Sequence, residues 1–414
     1  MTPTNKSVII VGGGAAGMIA GIYAADYADS VILIEKNKMP GRKLRITGKG
    51  RCNITNGADI EDFFKNIPTN PKFLYSALYS YTNNDIISLL ESCGVKTKEE
   101  RGGRIFPVSD NANDVANALW SVLKDKKVRI INDEVLDVIT QSDTAVGVRT
   151  KSGKEYYGSV VLATGGASYP KTGSDGKMLN VVQKLGHTIV DLKASLVPVV
   201  CTDKWVHSLT GLSLKNVVLN VYDKGKLIFS ELGELLFTHF GLSGPLVLSA
   251  SSHMRSFDGH DYRMCIDLKP ALDEKKLDSR ILRDFEEEIN RDIINGLNKL
   301  LPKALIPVVI KLSGIDERKK INSITKQERA DLVNVIKNMT IKPVGFRPVD
   351  EAIITSGGIR VKEINPSTME SKLYKNLYFA GEMIDVDAYT GGYNLQIAWS
   401  TGYIAGMCAS GGMI

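Results

Sequence analysis

An α/β fold with a parallel sheet, built from both ends of the chain and interrupted by a long insertion, is what this 414-residue sequence predicts. Three observations predict it. Short continuous apolar runs such as Val8–Val11 and Val160–Leu162 read as strands buried on both faces of a parallel sheet. A glycine-rich turn, Gly12-Gly-Gly-Ala-Ala-Gly17, joins the first run to a segment small and apolar enough for a helix lying close on that sheet. The alternation of helix, strand and turn stops near residue 190 and resumes at Val344.

Composition sets the outer limits. Hydrophobic residues make up 43% and charged residues 24%, the balance of a globular protein and not of a disordered chain. No apolar run approaches the roughly 18 residues that span a bilayer. Val8–Val11 is too short for a signal peptide and breaks into glycines. The five cysteines (52, 93, 201, 265, 408) have no paired spacing, which argues for neither a metal site nor a disulfide framework and suits a reduced, cytoplasmic setting. The 38 glycines exceed the roughly 7% average, and the net charge is +6 from 52 basic and 46 acidic side chains. So small an excess indicates nucleic-acid binding only if it is gathered into a patch.

Taken in order, Ser7–Val11 is a strand, Met18–Tyr27 a helix and Val31–Ile34 a second strand ending in Glu35. Helices are expected over Asn84–Cys93 and Asn111–Leu123, and strands over Val128–Ile131 and Ser159–Ala163. Residues 195–268 carry alternating short strands such as Val217–Val221 and Met264–Leu268, with Glu234–Ser252 read as a loop entering a helix. Residues 273–337 are charged and helical, broken at Pro302 and Pro307. A strand at Leu377–Ala380 and a helix opening at Gly391–Gln396 and running to about Ala409 close the chain. The expected boundaries are 1–191 with 339–414 for the discontinuous first domain, 192–271 for a β-rich substrate domain and 272–338 for a helical domain.

The first turn carries the most chemistry. In Gly12-x-Gly14-x-x-Gly17, Gly12 permits the tight turn, Gly14 lets backbone approach a pyrophosphate, and Gly17 lets helix and strand pack closely. The helix amino terminus offers unpaired N–H groups and partial positive charge to phosphates. Glu35, 18 residues after Gly17, can accept hydrogen bonds from a ribose. This dinucleotide fingerprint does not separate NAD from FAD; three further segments do. Gly41–Asn56 (GRKLRITGKGRCNITN) interleaves Arg42, Lys43, Arg45, Lys49 and Arg51 with glycines, so it can close around an anion, although an exposed basic loop is the plain alternative. No aromatic residues stand among those cations, as they would more often in a nucleic-acid patch. Val160–Gly166 is a strand ending in a glycine turn, at the end of a parallel sheet where cofactors lie. The Leu377–Gln396 return pairs a Gly-acid strand end, Gly381-Glu382, suited to a polyol, with a helix amino terminus suited to the negative charge of a reduced flavin. The cofactor expected is FAD, bound non-covalently.

Together GGGAAG (12–17), GRKLRITGKGRCNITN (41–56), RGGRIFPVS (101–109), ATGGASYPKTGSDGK (163–177), THFGLSGP (238–245) and NLYFAGEMIDVDAYTGGYNLQIAWSTG (376–402) resemble one family. It is the bacterial FAD-binding group of aminoacetone oxidase-like, NAD(P)/FAD-dependent oxidoreductases, and the resemblance covers essentially the whole chain. It implies a Rossmann-like FAD-binding domain of the two-dinucleotide-binding flavoprotein type, with an inserted β-barrel-like domain and a small helical domain. By that resemblance Gly12, Gly14 and Gly17 meet the pyrophosphate and Glu35 the adenosine ribose. Lys43, Thr47 and Gly48 belong to the FAD-wrapping segment, and Thr164 and Gly165 touch the cofactor. Glu382 meets the ribityl region, and Asn394 with Leu395 the isoalloxazine. Ala16, Lys36, Arg42, Cys52, Asn53, Gly166 and Gly381 complete the candidate cofactor set. Lys49 stands where relatives often carry a small residue.

His239, in the insertion, is either a proton donor near the flavin or a residue that braces its own glycine loop. Tyr389 and Tyr169 flank glycine turns; either can pack on the flavin edge, stack on substrate or donate a proton, the last making Tyr389 a candidate catalytic residue beside His239. Cys52 is a redox or covalent thiol, or a small buried hydrophobe. Asp385 and Asp387 either order the loop before Gly391 or are solvated. The function expected is hydride transfer at the flavin with a small organic substrate, by amine oxidation or reduction of an activated double bond. NADH or NADPH would be a transient co-substrate, or oxygen the second redox partner. The rival reading is a flavin-carrying RNA-modifying or nucleic-acid-binding protein; the preferred one expects no nucleic acid, no membrane and no metal.

Overall fold

The computed structural model describes residues 6–254, 256–348 and 351–413. It comprises two compact units, Met1–Ser195 with Val349–Ile414, and Leu196–Pro348.

The first unit is built on a five-stranded sheet ordered Leu377–Phe379, Ser159–Leu162, Ser7–Val11, Ser30–Glu35, Arg129–Asn132, all parallel. Val8, Ile9 and Ile10 have no exposed surface, as their unbroken apolar run requires of a strand covered on both faces. The helix Ala15–Ala24 starts three residues before the expected one and ends three earlier. It begins directly at the glycine turn because Gly14 already serves as its cap. The helix Tyr393–Ala409 lies against it. A Cβ on Gly402 would stand 2.4 Å from the Ala16 carbonyl oxygen, and one on Gly406 2.3 Å from that of Ala20. The two helices, one from each end of the chain, therefore meet backbone to backbone.

The helix Asn83–Ser92 is opened by a Thr82/Asp85 capping box, and Ala112–Asp125 by the Asn111 side chain. The antiparallel ribbon Ile189–Ser195/Ile354–Ile359 joins the two sequence segments of this unit.

In the second unit seven strands form one antiparallel sheet, in the order Met339–Ile341, Tyr262–Asp267, Ser213–Asp223, Lys226–Thr238, Gly241–Ser243, Val199–Cys201, Pro343–Phe346. The two edge strands are one run broken at Lys342, so residues 339–346 close the sheet into a barrel. Three expectations change here. Residues 339–346, assigned from sequence to the first domain, belong to the barrel because they pair with both of its edges. The helical segment is not a domain of its own: Leu277, Ile281, Phe285, Leu332 and Ile336 share one hydrophobic core with Leu219, Val221, Leu235 and Phe237 of the strands. Glu234–Thr238 is strand, paired with Gly241–Ser243 through a two-residue turn at His239 and Phe240.

Candidate functional site

The carboxyl ends of the parallel strands in the first unit gather most of the candidate residues. Gly12 (φ +101°) takes the turn conformation that favours glycine, and its amide donates to the Ile34 carbonyl (2.9 Å). A Cβ on Gly17 would lie 1.8 Å from the Gly12 carbonyl oxygen, so this glycine is a packing requirement between turn and helix. Gly14 differs: a Cβ there would meet no heavy atom within 4 Å. The helix behind it has no side-chain cap and no acid in its first turn, which leaves its amino-terminal N–H groups to an external acceptor. The seventeen-residue helix at Tyr393 is likewise uncapped by a side chain behind Gly392.

Glu35 is buried. Its carboxylate accepts from the Gly13 amide (2.7 Å) and from the backbone and side-chain N–H groups of Asn37 (2.7 Å each), fastening the phosphate turn to the second strand. Lys36 is exposed and pairs with Asp175 (3.0 Å). Arg42 is exposed beside Asn37 (3.4 Å).

A second cluster joins four segments separated in sequence. Lys43 Nζ donates to Glu382 Oε2 (2.6 Å) and Ser168 Oγ (2.8 Å). Glu382 Oε1 accepts from Ser168 Oγ (2.9 Å) and from the Thr355 amide (2.8 Å). Thr355 Oγ1 in turn accepts from the amides of Ala167 and Ser168 (2.9 Å each). Ser168 and Thr355 escaped the sequence reading: a lone serine and threonine carry no signal until the fold brings them to Glu382. Gly166 is buried, with no room for a Cβ beside Thr355 Oγ1 (2.7 Å), while Thr164 approaches Met383 Sδ (3.2 Å from its hydroxyl) and Gly165 is half-buried.

Asn394 holds the loop before its own helix, accepting from the Ala388 amide (2.9 Å) and donating to the carbonyls of Ala388 (2.7 Å) and Tyr389 (3.2 Å). Asn53, with its amide oxygen turned to the Gly392 N–H (2.9 Å), holds the other side. Leu395 and Tyr389 are half-buried here, and the Tyr389 amide donates to Asn66 (2.9 Å). Asp387 is buried and accepts from Ser195 (2.8 Å) and Ser356 (3.1 Å), so of its two readings loop ordering is the one seen.

Several expectations are revised. Cys52 has no exposed surface, and burial pushes its thiol up to about 12. A bound molecule cannot touch it without displacing its neighbours, and it is neither nucleophile nor redox thiol at neutral pH. Ala16, Gly17 and Gly381 are buried and act through packing; a Cβ on Gly381 would sit 3.0 Å from that of Ala16. The basic loop does not present five cations to one anion. Arg51 pairs with Glu100 and with Asp110 (2.6 Å), Arg45 donates to Asn113 (2.8 Å) and Asn117 (2.9 Å), and Lys43 is held by Glu382. Those partners are far away in sequence, so the charge run could not reveal them. Thr47 bonds its own loop at Leu44 (2.7 Å); Gly48 and Lys49 are exposed and both left-handed (φ +57° and +60°), which gives the small-residue preference at position 49 a steric reason. His239 is exposed in the barrel unit's hairpin turn, its ring edge-on to Phe240 (5.0 Å).

One constellation outside this site has the order of a hydrolytic triad. His187 Nε2 lies 2.9 Å from Ser371 Oγ and its Nδ1 3.3 Å from Glu363. Ser371 is buried and accepts from the amides of Leu373 and Tyr374 (3.0 Å each), so the three side chains brace a turn.

The residues suit FAD. An open glycine cradle before an uncapped helix fits a pyrophosphate, the Glu35 carboxylate stands beside that turn at the end of the second strand, and a carboxylate and a second uncapped helix end follow at the far strand ends.

Residues 6–408 match the family model described as HI0933-like protein Rossmann domain. A ribosomal RNA dihydrouridine synthase of Haemophilus influenzae is 32% identical over 97% of this chain and 98% of its own. One of Escherichia coli is 30% identical over 95% and 96%. A 3-dehydro-bile acid Δ4,6-reductase of Clostridium scindens is 29% identical over 97% and 98%. The fold is shared with a flavocytochrome c3 fumarate reductase (TM-score 0.52, 16% identity, 99% of this chain and 79% of that one). It is shared equally with the 3-ketosteroid Δ1-dehydrogenase of Sterolibacterium denitrificans (TM-score 0.52, 15%, 98% and 100%). Among the described residues no helix is long and apolar enough to cross a membrane.

Proposed function

This chain belongs to the HI0933-like Rossmann family of FAD-dependent oxidoreductases, and from that premise we propose that it adds a hydride and a proton across a carbon–carbon double bond conjugated to a carbonyl. The observation that carries the reading is a shared chemistry beneath two different names. Making dihydrouridine saturates the C5–C6 bond beside a uracil carbonyl, and a 3-dehydro-bile acid Δ4,6-reductase saturates bonds conjugated to a ketone. The relatives at 30% identity and above favour a uracil base in RNA as the substrate here.

FAD, when bound, supplies the two-electron hydride chemistry. The chain supplies the rest. The Gly12–Gly17 turn and the amino terminus of Ala15–Ala24 hold the pyrophosphate, and Glu35, already anchored to the turn, orients the ribose. The Lys43–Glu382–Ser168–Thr355 network fixes the polar wall beside the ribityl chain. The amino terminus of Tyr393–Ala409 places positive potential where negative charge develops, with Asn394 and Asn53 keeping its loop in place. Tyr389 stands on that loop with a phenol able to give the proton that completes the addition. With one dinucleotide fingerprint in the chain, NADH or NADPH delivers electrons by docking transiently on the same face.

Anaerobic mixing of the yellow holoprotein with NADPH or NADH, followed by a uridine-containing RNA, tests this. Flavin bleaching by a nicotinamide, recovery on adding RNA and dihydrouridine in the product are expected. Colourless protein, or recovery with oxygen and an amine but with neither RNA nor an unsaturated ketone, would overturn it.

A further inference from the structure

Two surface features of the first unit adjoin the loop 389–393, and the proposed site does not use either. The first is a stack of three rings. Phe64 lies over Tyr75 with centroids 4.3 Å apart and planes 16° from parallel; Tyr79 is 6.1 Å from each and also near-parallel. Tyr75 and Tyr79, four residues apart on the helix Tyr75–Ser80, are 51% and 52% exposed. A ring stack serving the core would be covered; this one leaves half of two tyrosines in water. It adjoins the loop through Phe63, whose ring meets Tyr393 edge-on (5.0 Å), and through Asn66, which accepts from the Tyr389 amide.

The second is the hairpin tip Arg101-Gly-Gly-Arg104. Neither arginine forms an ion pair among the described residues, whereas Arg51 and Lys98 nearby are both paired with carboxylates. The tip is pinned to the loop: Asn56 Nδ2 donates to the carbonyls of Gly102 (2.9 Å) and Gly391 (3.0 Å), and a Cβ on Gly103 would lie 2.4 Å from Asn56 Oδ1. Its two guanidinium groups are thus carried on a braced turn.

We infer that these two features form a docking surface for a single-stranded RNA segment, which rests on the RNA reading above. Near-parallel exposed rings offer faces on which successive bases stack whatever their sequence, and arginines without an ion-pair partner suit phosphate, although Arg104 Nε donates to the Arg101 carbonyl (3.0 Å) and so offers only its terminal N–H groups. The helix carrying Phe64 bears Glu61 and Asp62, the latter paired with Lys65 (2.6 Å), so phosphate contact falls to the hairpin and the rings take bases. The loop they adjoin carries Tyr389 and the entry to the Tyr393 helix. A strand held by both features would present one unstacked base to it.

The test uses the FAD-loaded full chain and a fluorescent twelve-nucleotide uridine-rich RNA, with anisotropy read at several salt concentrations. Tyr75→Ala with Tyr79→Ala should weaken binding by about tenfold or more without changing the salt slope. Arg101→Ala with Arg104→Ala should weaken it and lower the log–log salt slope by about 1.4, the value for two lost phosphate contacts to a single strand. The flavin spectrum of each variant reports folding, and Tyr75→Phe with Tyr79→Phe should restore binding. No RNA binding by the wild type, or wild-type affinity and slope in both alanine pairs, overturns the surface. Dihydrouridine analysis separates the two proposals. RNA bound through these residues without dihydrouridine sinks the substrate reading alone, and dihydrouridine formed equally by both alanine pairs sinks the surface alone.

Discussion

The two units bury different things. Among the described residues every buried polar side chain outside Ser249, Ser251 and Asp284 lies in the first unit, and nearly all of them fasten a loop or turn. Thr55, Gln396 and Ser400 link to one another and to the Tyr81 carbonyl; Trp399 donates to Ile54; Asn83 donates to Asn56 and Ala58. The barrel unit is filled instead by Leu219, Leu235, Phe237, Leu242 and Val247. An apolar core fixes a shape but leaves loops to themselves, whereas a paired polar core fixes the paths of loops that must meet a cofactor, at the cost of being damaged by any single lost partner.

Four experiments can break or sharpen this contrast. The largest effect is expected from Phe237→Ala, which opens a cavity in the barrel core and should cost about 3–5 kcal/mol of that unit's stability. Flavin content should stay at the wild-type level, and a parallel loss of flavin would dissolve the distinction. Gly17→Ala should do the reverse. Its methyl would collide with the Gly12 carbonyl, a clash that no rotamer relieves, so about 3 kcal/mol is lost and the purified protein carries little or no flavin. A yellow Gly17→Ala protein would count against the turn's role. Glu382→Gln leaves Lys43 without its counter-charge at a site where both side chains are about one-fifth exposed. A loss of about 1–2 kcal/mol is expected in thermal melts of the flavin-free protein, with weaker FAD retention on dialysis.

The smallest effect concerns pH. Burial, opposed only in part by Glu363, lowers the His187 pKa below its ordinary value near 6.5. Below that value the unfolded chain takes up a proton that the folded one resists, so stability is complete above pH 6.5 and falls as the pH drops towards the lowered value. Melting temperature should decline over that interval in the wild type and less in His187→Gln. Equal slopes would remove His187 from the account.

How much of this could be read from the residues follows the range of each interaction. The phosphate turn, the first two strands and the closing helix were legible because glycine spacing and apolar runs are local. The ionic partners of Lys43 and Arg51 were not, since Glu382, Glu100 and Asp110 reach them only through the fold. The barrel's closing run was misassigned because Met339–Phe346 is short and pairs with two strands distant in sequence. Glu234–Thr238 looked like a loop because the glycines and proline just after it set the texture of the whole segment. Of the two readings of Cys52 the buried hydrophobe is the one seen; the neighbouring cations do not activate it, because Arg51 turns to Glu100 and Asp110.

The backbone contact of Gly402 and Gly406 with Ala16 and Ala20 also sets an order of events during synthesis. The barrel unit is contiguous in the chain and can condense as soon as residue 348 leaves the ribosome. The flavin unit cannot: its first helix waits, one face bare, for a partner encoded nearly four hundred residues later. Until residue 379 is made the sheet also lacks its Leu377–Phe379 edge. A chain cut short between residue 348 and Tyr393 would therefore release a folded barrel tethered to a flavin unit that has no means of completing itself, so bound FAD marks a chain translated past Tyr393.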